Sequence, residues 1–310
     1  MNSMTAFVLS TPDAQAPTLA RIPVPHVGDD ELLVRIKAVG VGIHDSYFLP
    51  HERTSPYPIG IEAAGIVDQV GSAVTQYHVG DRIAFVSAMQ SKGGVWAEYA
   101  AVHTNSLILP IPAHMTFEQA SAIPVAGNTT FRALHALPEI AAGGSIFVAG
   151  ASGAIGTFAV QVASKRGWDT AASASAHNHD YLTALGATLV VDYQHSSWPD
   201  EVRRWRPGGV DGAIAIQPGT TASSMHVVKG GGTVVTVSND QVESAEGIRV
   251  TGIDYGIDVR HALIAFMNDI VAGEIQLVIE QVYPCEDASK ALAKVQTRRA
   301  RGKIVLSFEP

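Results

Sequence analysis

The chain has 310 residues, enough for two domains of ordinary size, and its 46% hydrophobic and 16% charged content is typical of a globular protein with a large core. The net charge of −8 provides no general attraction for nucleic acid or an anionic membrane, so we expect neither as a partner. Cys285 is the one cysteine, which excludes an internal disulfide and a multi-cysteine metal site.

Targeting signals are not evident in the sequence. The first residues lack a basic stretch followed by an apolar stretch, and no run of eighteen apolar residues occurs. We therefore expect a cytoplasmic protein.

Residues 1 to about 120 have the pattern of a β-rich domain. Alternating apolar residues predict strands at 31–39, 61–70 and 81–86, and Gly, Pro and Asp separate them. Short strands of this kind are typical of a compact barrel or sandwich. Thr116 and Gln119 form a capping-box pattern that predicts the start of a helix.

From about 121 to 260, apolar strands alternate with helical stretches. Strands are predicted at 145–149, 169–175, 188–192, 211–216, 232–237 and 248–253, and helices at 154–166, 179–185, 198–205 and 220–229. This alternation indicates βα units around a parallel sheet. A further amphipathic helix is predicted at 258–272.

The tail returns to strand-like stretches at 276–279 and 303–308, which we expect to pair with the first domain. The predicted domains are thus 1–120 with 273–310, and 121–272.

The stretch 150–156 predicts a dinucleotide site because it joins a buried strand to a helix through three glycines. Gly150 permits a tight turn, Gly153 lets the backbone approach a pyrophosphate, and Gly156 lets the helix pack closely. The alternative is a tight strand–helix turn without a ligand. The predicted phosphate-binding set is Gly150, Ala151, Ser152, Gly153, Ala154, Ile155 and Gly156.

Several segments together resemble the medium-chain dehydrogenase/reductase family. They occur in the family's order: Gly-Ile-Glu-Ala-Ala-Gly at 60–65, Val-Gly-Asp-Arg at 79–82, Gly-Val-Trp-Ala-Glu-Tyr at 94–99, Gly-Asn-Thr-Thr at 127–130, the glycine turn, and Gly-Lys-Ile-Val-Leu at 302–306. The resemblance spans nearly the whole chain. It implies an α/β fold, with a Rossmann doubly wound parallel sheet and a GroES-like β-rich catalytic domain made of both chain ends.

The resemblance also bears on zinc. The positions that match the catalytic zinc ligands of alcohol dehydrogenases are Gly42, Ile61 and Val125, and none has a metal-binding side chain. His44 and Glu62 lie near them, but two isolated ligand-type residues are more often ordinary polar residues. We therefore expect an enzyme without zinc.

Within the family, the segment 39–47 resembles the zinc-independent quinone oxidoreductases. Asp45 and Tyr47 match that group, whereas Gly42 replaces its asparagine and Ile43 its proline. The resemblance implies hydride transfer from a nicotinamide cofactor to a quinone or an α,β-unsaturated carbonyl.

The developing oxyanion needs a hydrogen-bond donor. Tyr47 is the first candidate and His44 the second, although a packed tyrosine and a solvated loop histidine are the alternatives. Asp45 is expected to fix loop geometry, and Asp45 and Tyr57 are assigned to the substrate pocket. By resemblance, Thr129 is expected to contact the nicotinamide ribose or amide, unless its hydroxyl bonds back to a helix carbonyl.

The end of the second βα strand favours NADPH over NADH. No acidic residue occurs at 171–177, where an NAD enzyme places one for the ribose hydroxyl. Ser175 and Tyr193 are candidates to bind the 2′-phosphate, and His177 adds charge when protonated; the alternative is a solvated polar turn. Ser238 completes the predicted cofactor-binding set.

Two other functions remain open. One is an NADPH-dependent alkenal, enone or enoyl reductase of the same fold, and the other is a non-catalytic dinucleotide-binding protein. The basic tract 298–301 is interpreted as a solvated helix end rather than an RNA site.

The strand near 249–253 is read as an apolar sheet edge flanked by no obvious gatekeeper, which favours pairing with a second copy. We therefore expect a homodimer joined through the nucleotide-binding domains.

Overall fold

The computed structural model describes residues 3–11, 13, 14, 16–46, 48–53, 55–87, 91–245 and 247–308. Elements of the first half are β1 (Ser3–Leu9), β2 (Thr18–Pro23), β3 (Glu31–Val41), β4 (Tyr57–Pro58), β5 (Glu62–Val70), β6 (Arg82–Val86), β7 (Tyr99–His103), β8 (Leu107–Pro110), α1 (Phe117–Ser121) and α2 (Pro124–Ala136). Those of the second half are β9 (Ser145–Ala149), α3 (Ala154–Lys165), β10 (Asp169–Ser173), α4 (His179–Ala184), β11 (Leu189–Val191), α5 (Trp198–Trp205), β12 (Val210–Ala215), α6 (Thr220–Met225), β13 (Val228–Thr236), β14 (Arg249–Thr251), α7 (Arg260–Val271), β15 (Ile279–Pro284), α8 (Ala288–Gln296) and β16 (Lys303–Ser307).

The chain divides into two compact units, Met1–Val125 with Arg260–Pro310, and Ala126–Val259. The sequence predicted domain borders at 120 and 272. In the structure the second unit ends at Val259, so α7 belongs to the first unit rather than the second. The reason is tertiary packing that the sequence pattern does not reveal: α7 packs on β8, and Arg260 Nη2 donates to Ser106 O at 3.4 Å.

The first unit contains the predicted β-rich architecture. One sheet has the order β2-β1-β4, and a larger one has the order β15-β16-β3-β5-β6-β8, with β7 paired to β3. The C-terminal strand β16 runs antiparallel to β3, which confirms the prediction that the tail pairs with the first domain. The predicted strand at 276–279 was wrong, because β15 begins at Ile279. Most of its residues are exposed at the sheet edge, so they lack an apolar alternation.

The second unit is the predicted doubly wound α/β fold. Its strands have the order β11-β10-β9-β12-β13-β14, and every pairing is parallel. The helix predicted at 220–229 was too long, since α6 ends at Met225. Val228 already pairs with Val210 of β12 and begins β13.

Buried apolar side chains hold the sheet of the second unit. All residues of β9 are buried, and the Phe147 ring stacks on Trp198 of α5 with centroids 5.0 Å apart. Aromatic stacking of this kind adds about 0.5–1.5 kcal/mol to the burial of apolar surface. The strand that leads into the glycine turn is therefore firmly fixed. Within the described ranges, no helix is long and apolar enough to cross a membrane.

Candidate functional site

The glycine turn follows β9 in the second unit. Gly150 has a φ of 82°, in the left-handed region that favours glycine. A Cβ atom at Gly156 would lie 2.4 Å from the Cα of Ala151, so only glycine allows α3 to pack this closely. A Cβ at Gly153 would meet no heavy atom within 4 Å. The fold thus needs glycine at 150 and 156, whereas the open space at Gly153 fits a pyrophosphate approaching the backbone.

The N-terminus of α3 provides the electrostatic part of this cradle. Gly153 is the N-cap residue, and no side chain caps the helix there. The N–H groups of Gly150 and Ala151 are instead held inside the fold, by Ser173 Oγ at 3.4 Å and Ser173 O at 3.1 Å. Phosphate contacts are therefore expected from Ser152 onward, at the positive end of the helix dipole.

Helix α2 contacts the glycine turn through a residue that the sequence interpretation missed. Thr130 Oγ1 lies 2.8 Å from Ala126 O and 3.1 Å from Ile155 O. Its neighbour Thr129, the predicted nicotinamide contact, is buried. Because Thr130 follows Thr129 directly in the family motif, the motif itself was the signal for it.

Ser175 and Tyr193 are brought together at the end of β10 and β11. The Ser175 Oγ and Tyr193 OH atoms are 3.3 Å apart, and Tyr193 is 54% exposed. His177 lies in the following short turn and is exposed. Asp192, the residue before Tyr193, accepts a hydrogen bond from the N–H of Gln194 at 2.9 Å. The hydroxyls of Ser175 and Tyr193 thus lie together at this edge of the sheet, beside an exposed histidine.

Ser238 follows β13, and its hydroxyl faces acceptors. Ser238 Oγ lies 3.0 Å from Asp240 Oδ1 and 3.4 Å from Gln217 O. Asp240, which the sequence interpretation missed, also accepts from the N–H of Gly219 at 3.0 Å and from Thr221 Oγ1 at 2.8 Å. Partial burial acts to raise the pKa of Asp240, but these donors hold it below its usual value. Asp240 therefore carries a negative charge that organises the ends of β12 and β13.

A buried ion pair lies in the first unit between Glu62, at the start of β5, and Lys303, at the start of β16. Glu62 is 1% and Lys303 6% exposed, and Glu62 Oε2 accepts the N–H of Val125 at 2.8 Å. A Cβ at Gly40 would lie 2.7 Å from Glu62 Cδ, so this glycine of β3 makes room for the carboxylate. Each charge compensates the other, and removing one would leave a costly unpaired charge.

Asp45 fixes the loop that follows β3. Its Oδ2 atom accepts the N–H of Gly42 at 2.8 Å, as a loop-fixing residue would. The side chain is buried, which raises its pKa to about 6, although the Gly42 N–H and the Lys303 charge act in the opposite direction. Asp45 is therefore a carboxyl that ionises reluctantly in the folded chain.

His44 fills the space left by the glycine at position 42. A Cβ on Gly42 would come within 3.1 Å of His44 Nε2. Burial lowers the pKa of His44, the Lys303 charge adds to this shift, and Glu62 opposes it. The imidazole is therefore neutral near neutral pH, with one N–H donor and one acceptor nitrogen.

The structure describes one of the two tyrosines of the predicted site, Tyr57, and not the other. Tyr47, the first candidate for the oxyanion donor, lies outside the described residues. Tyr57 is 2% exposed in β4 and pairs with Leu9 of β1. Burial raises its pKa to about 12, with Arg53 opposing the shift. Its role as a pocket wall stays a prediction, and its ring has the environment of a core residue.

The side chains at the zinc-matched positions have no electron pair to donate to a metal. Gly42, Ile61 and Val125 carry hydrogen or hydrocarbon there, and the nearby Glu62 already pairs with Lys303. Throughout the part of the chain that the structure describes, no three His, Cys, Asp or Glu side chains group as metal ligands. This donor set does not fit a catalytic zinc ion.

Two family models match the chain. The "Alcohol dehydrogenase GroES-like domain" matches residues 28–113, and the "Zinc-binding dehydrogenase" model matches residues 185–306. The first match lies in the β-rich unit, and the second runs from the parallel sheet into the C-terminal strands.

Curated relatives cover most of the chain. The human "Synaptic vesicle membrane protein VAT-1 homolog" is 27% identical, over 91% of this chain and 80% of its own. A "Quinone oxidoreductase" from Pseudomonas aeruginosa is 28% identical, over 90% of this chain and 91% of its own. A "Trans-enoyl reductase" from Gibberella fujikuroi is 30% identical, over 65% of this chain and 60% of its own.

Solved structures share the fold. The quinone oxidoreductase from Coxiella burnetii superimposes with a TM-score of 0.88 at 22% identity, covering 99% of this chain and 100% of that one. At this level of identity, the likeness establishes the fold alone.

Proposed function

Because the chain belongs to the medium-chain dehydrogenase/reductase superfamily, in its quinone oxidoreductase-like branch, we propose that this oxidoreductase uses NADPH to reduce a quinone without zinc. The observation that carries the proposal is the open backbone at Gly153, at the uncapped N-terminus of α3. A dinucleotide diphosphate would find N–H groups and a favourable helix dipole there.

The preference for NADPH is supported by the ends of β10 and β11. The hydroxyls of Ser175 and Tyr193 lie 3.3 Å apart, and we assign both to the 2′-phosphate of the adenosine ribose. His177 is exposed in the short turn that follows Ser175. An NAD-specific site would instead need a carboxylate to accept from the ribose hydroxyls.

The chemistry requires a hydrogen-bond donor for the substrate. When bound, the reduced nicotinamide supplies the hydride. The neutral imidazole of His44 can donate its N–H to the oxyanion that develops on the substrate carbonyl. Tyr47 is the other proposed donor. Asp45 holds the Gly42–Asp45 loop in place and so fixes His44 relative to the backbone.

Reduction of a conjugated enone or enoyl group is the alternative, favoured by the match to a trans-enoyl reductase. It uses the same hydride and the same oxyanion donor. The two reactions differ in the acceptor, which the donor set does not distinguish.

A spectrophotometric screen tests the proposal. Purified protein is mixed with NADPH or NADH and a panel of quinones, enones and enoyl thioesters, and loss of reduced-nicotinamide absorbance is followed. We expect turnover of quinones and a lower KM for NADPH than for NADH. Turnover of enones alone would favour the alternative reductase, and equal KM values would reject the NADPH assignment. NADPH binding without turnover of any acceptor would indicate a non-catalytic binding protein.

A further inference from the structure

The carboxyl edge of the parallel sheet has a side that the adenosine contacts leave free. Strands β10 and β11 lie on one side of β9, and β12, β13 and β14 lie on the other, so the strand order reverses between β9 and β12. A dinucleotide lies across such a switch point. With the adenosine half over Ser175 and Tyr193, the nicotinamide half falls over the ends of β12 and β13. This placement of the nicotinamide half rests on the proposed function.

Ser238 is a half-buried hydroxyl at that edge. It follows β13 by two residues, and the turn after β12 approaches the glycine turn closely, since a Cβ at Gly150 would lie 2.7 Å from Gln217 Cγ. The two polar neighbours of Ser238 Oγ are Asp240 Oδ1 at 3.0 Å and Gln217 O at 3.4 Å. Both are acceptors only, one a carboxylate and the other a backbone carbonyl.

This environment fixes the polarity of the Ser238 hydroxyl. A serine hydroxyl has one hydrogen and two lone pairs. The hydrogen goes to Asp240, since a charged acceptor forms the stronger bond. Asp240 is itself held by Gly219 and Thr221, so it cannot turn away. Toward a ligand, Ser238 therefore presents lone pairs.

We propose that Asp240 is a positioning residue that holds Ser238 as a hydrogen-bond acceptor, and that Ser238 thereby recognises the carboxamide N–H₂ group of the nicotinamide nucleotide. That group is the neutral N–H donor of this half of the cofactor. Phosphate and carbonyl oxygens only accept and are rejected by the same lone pairs. Ribose hydroxyls both donate and accept, so a bond to them would not account for a preference for nucleotides that carry the carboxamide.

Calorimetric binding of two nucleotides tests the proposal without turnover. NADP⁺ carries the carboxamide, and its 3-acetylpyridine analogue keeps the carbonyl but replaces the amine with a methyl group. One neutral hydrogen bond corresponds to about fivefold to tenfold in Kd. We expect the unaltered protein to bind NADP⁺ more tightly than the analogue by that factor.

Variants then identify the residue responsible. S238A is expected to bind both nucleotides with nearly equal Kd, and S238T, which keeps the hydroxyl, to retain the preference. D240N is expected to weaken it, because the hydroxyl loses its charged acceptor. S223A is the matched control: Ser223 is also half-buried, and its hydroxyl donates to Thr220 O at 3.0 Å. Thermal unfolding confirms that each variant is folded.

The outcomes separate this inference from the proposed function. If the unaltered protein binds NADP⁺, but S238A prefers NADP⁺ over the analogue as strongly as the unaltered protein does, the inference is overturned and the function stands. If D240N retains the full preference while S238A loses it, the role assigned to Asp240 is overturned. If the unaltered protein binds neither nucleotide, both the inference and the function are overturned.

Discussion

At the scale of single residues, the burial of Asp45 makes the stability of the fold depend on pH. Its pKa is raised from the usual 3.8 to about 6 by burial, so the folded chain keeps a proton that the unfolded chain has lost between these values. The folded state then binds more protons than the unfolded state, and stability falls as pH rises through this window. The stabilising contribution of the protonated form is intact below about pH 4 and is lost above about pH 6.

The substitution D45N tests this linkage. Asparagine keeps an acceptor for the Gly42 N–H but never ionises. We expect the free energy of unfolding of D45N, relative to the unaltered protein, to increase by about 2 kcal/mol between about pH 4.5 and about pH 7. Urea unfolding of both proteins at the two pH values measures this difference. A pH-independent difference would contradict the raised pKa.

Tyr193 is the residue on which the choice between cofactors is most easily tested. Y193F keeps the ring but removes the hydroxyl that lies near Ser175. Loss of one hydrogen bond to a charged phosphate is expected to raise KM for NADPH about tenfold and to leave KM for NADH unchanged. Y255F is the control, since Tyr255 is also exposed, at 68%. Equal effects on the two cofactors would remove Tyr193 from the phosphate site.

At the scale of elements, the strand–turn–helix unit from β9 to α3 allows folding and cofactor binding to be tested separately, because its glycines have different roles. Gly153 has a φ of −80°, which any residue adopts, and a Cβ there meets nothing within 4 Å. We expect G153A to unfold at the temperature of the unaltered protein or slightly higher, yet to bind NADPH at least tenfold more weakly, because the methyl group occupies the space of the pyrophosphate. Calorimetry and thermal unfolding measure both quantities.

G156A provides the matched comparison. Its methyl group would lie 2.4 Å from backbone atoms of Ala151, so the helix must shift. We expect a loss of about 1–3 kcal/mol in stability, as in other overpacked sites.

If G153A binds NADPH normally, the glycine turn is a packing feature and not the phosphate cradle.

Elements with local signals were predictable from the sequence, and contacts distant in sequence were not. The turn at 150–156 and the capping box at Thr116 depend on neighbouring residues, and both are present in the structure. The pairing of Glu62 with Lys303 joins residues 241 positions apart and exists only because β16 pairs with β3 and β3 with β5. The residues near Asp240 in the sequence do not predict its role, because that role depends on the position of the turn between β12 and α6 in the folded chain.

At the scale of the whole molecule, the two chain ends meet in one unit, as the family resemblance implied. The proposed homodimer concerns the other unit, where β14 lies at the sheet edge. That edge is partly satisfied within the chain, because the Val250 N–H donates to Ser244 Oγ at 3.0 Å. Light scattering is expected to give twice the chain mass of 32.6 kDa. A monomeric mass would contradict the dimer.

The central proposal is that this chain transfers hydride from NADPH without a metal ion; it is supported by the side chains of Gly42, Ile61 and Val125, which cannot bind zinc. The most direct measurement is the rate of NADPH-dependent quinone reduction before and after exhaustive dialysis against a chelator, with metal content determined in parallel. We predict the same rate in the metal-free protein. A rate that disappears on dialysis and returns with added zinc would contradict the account.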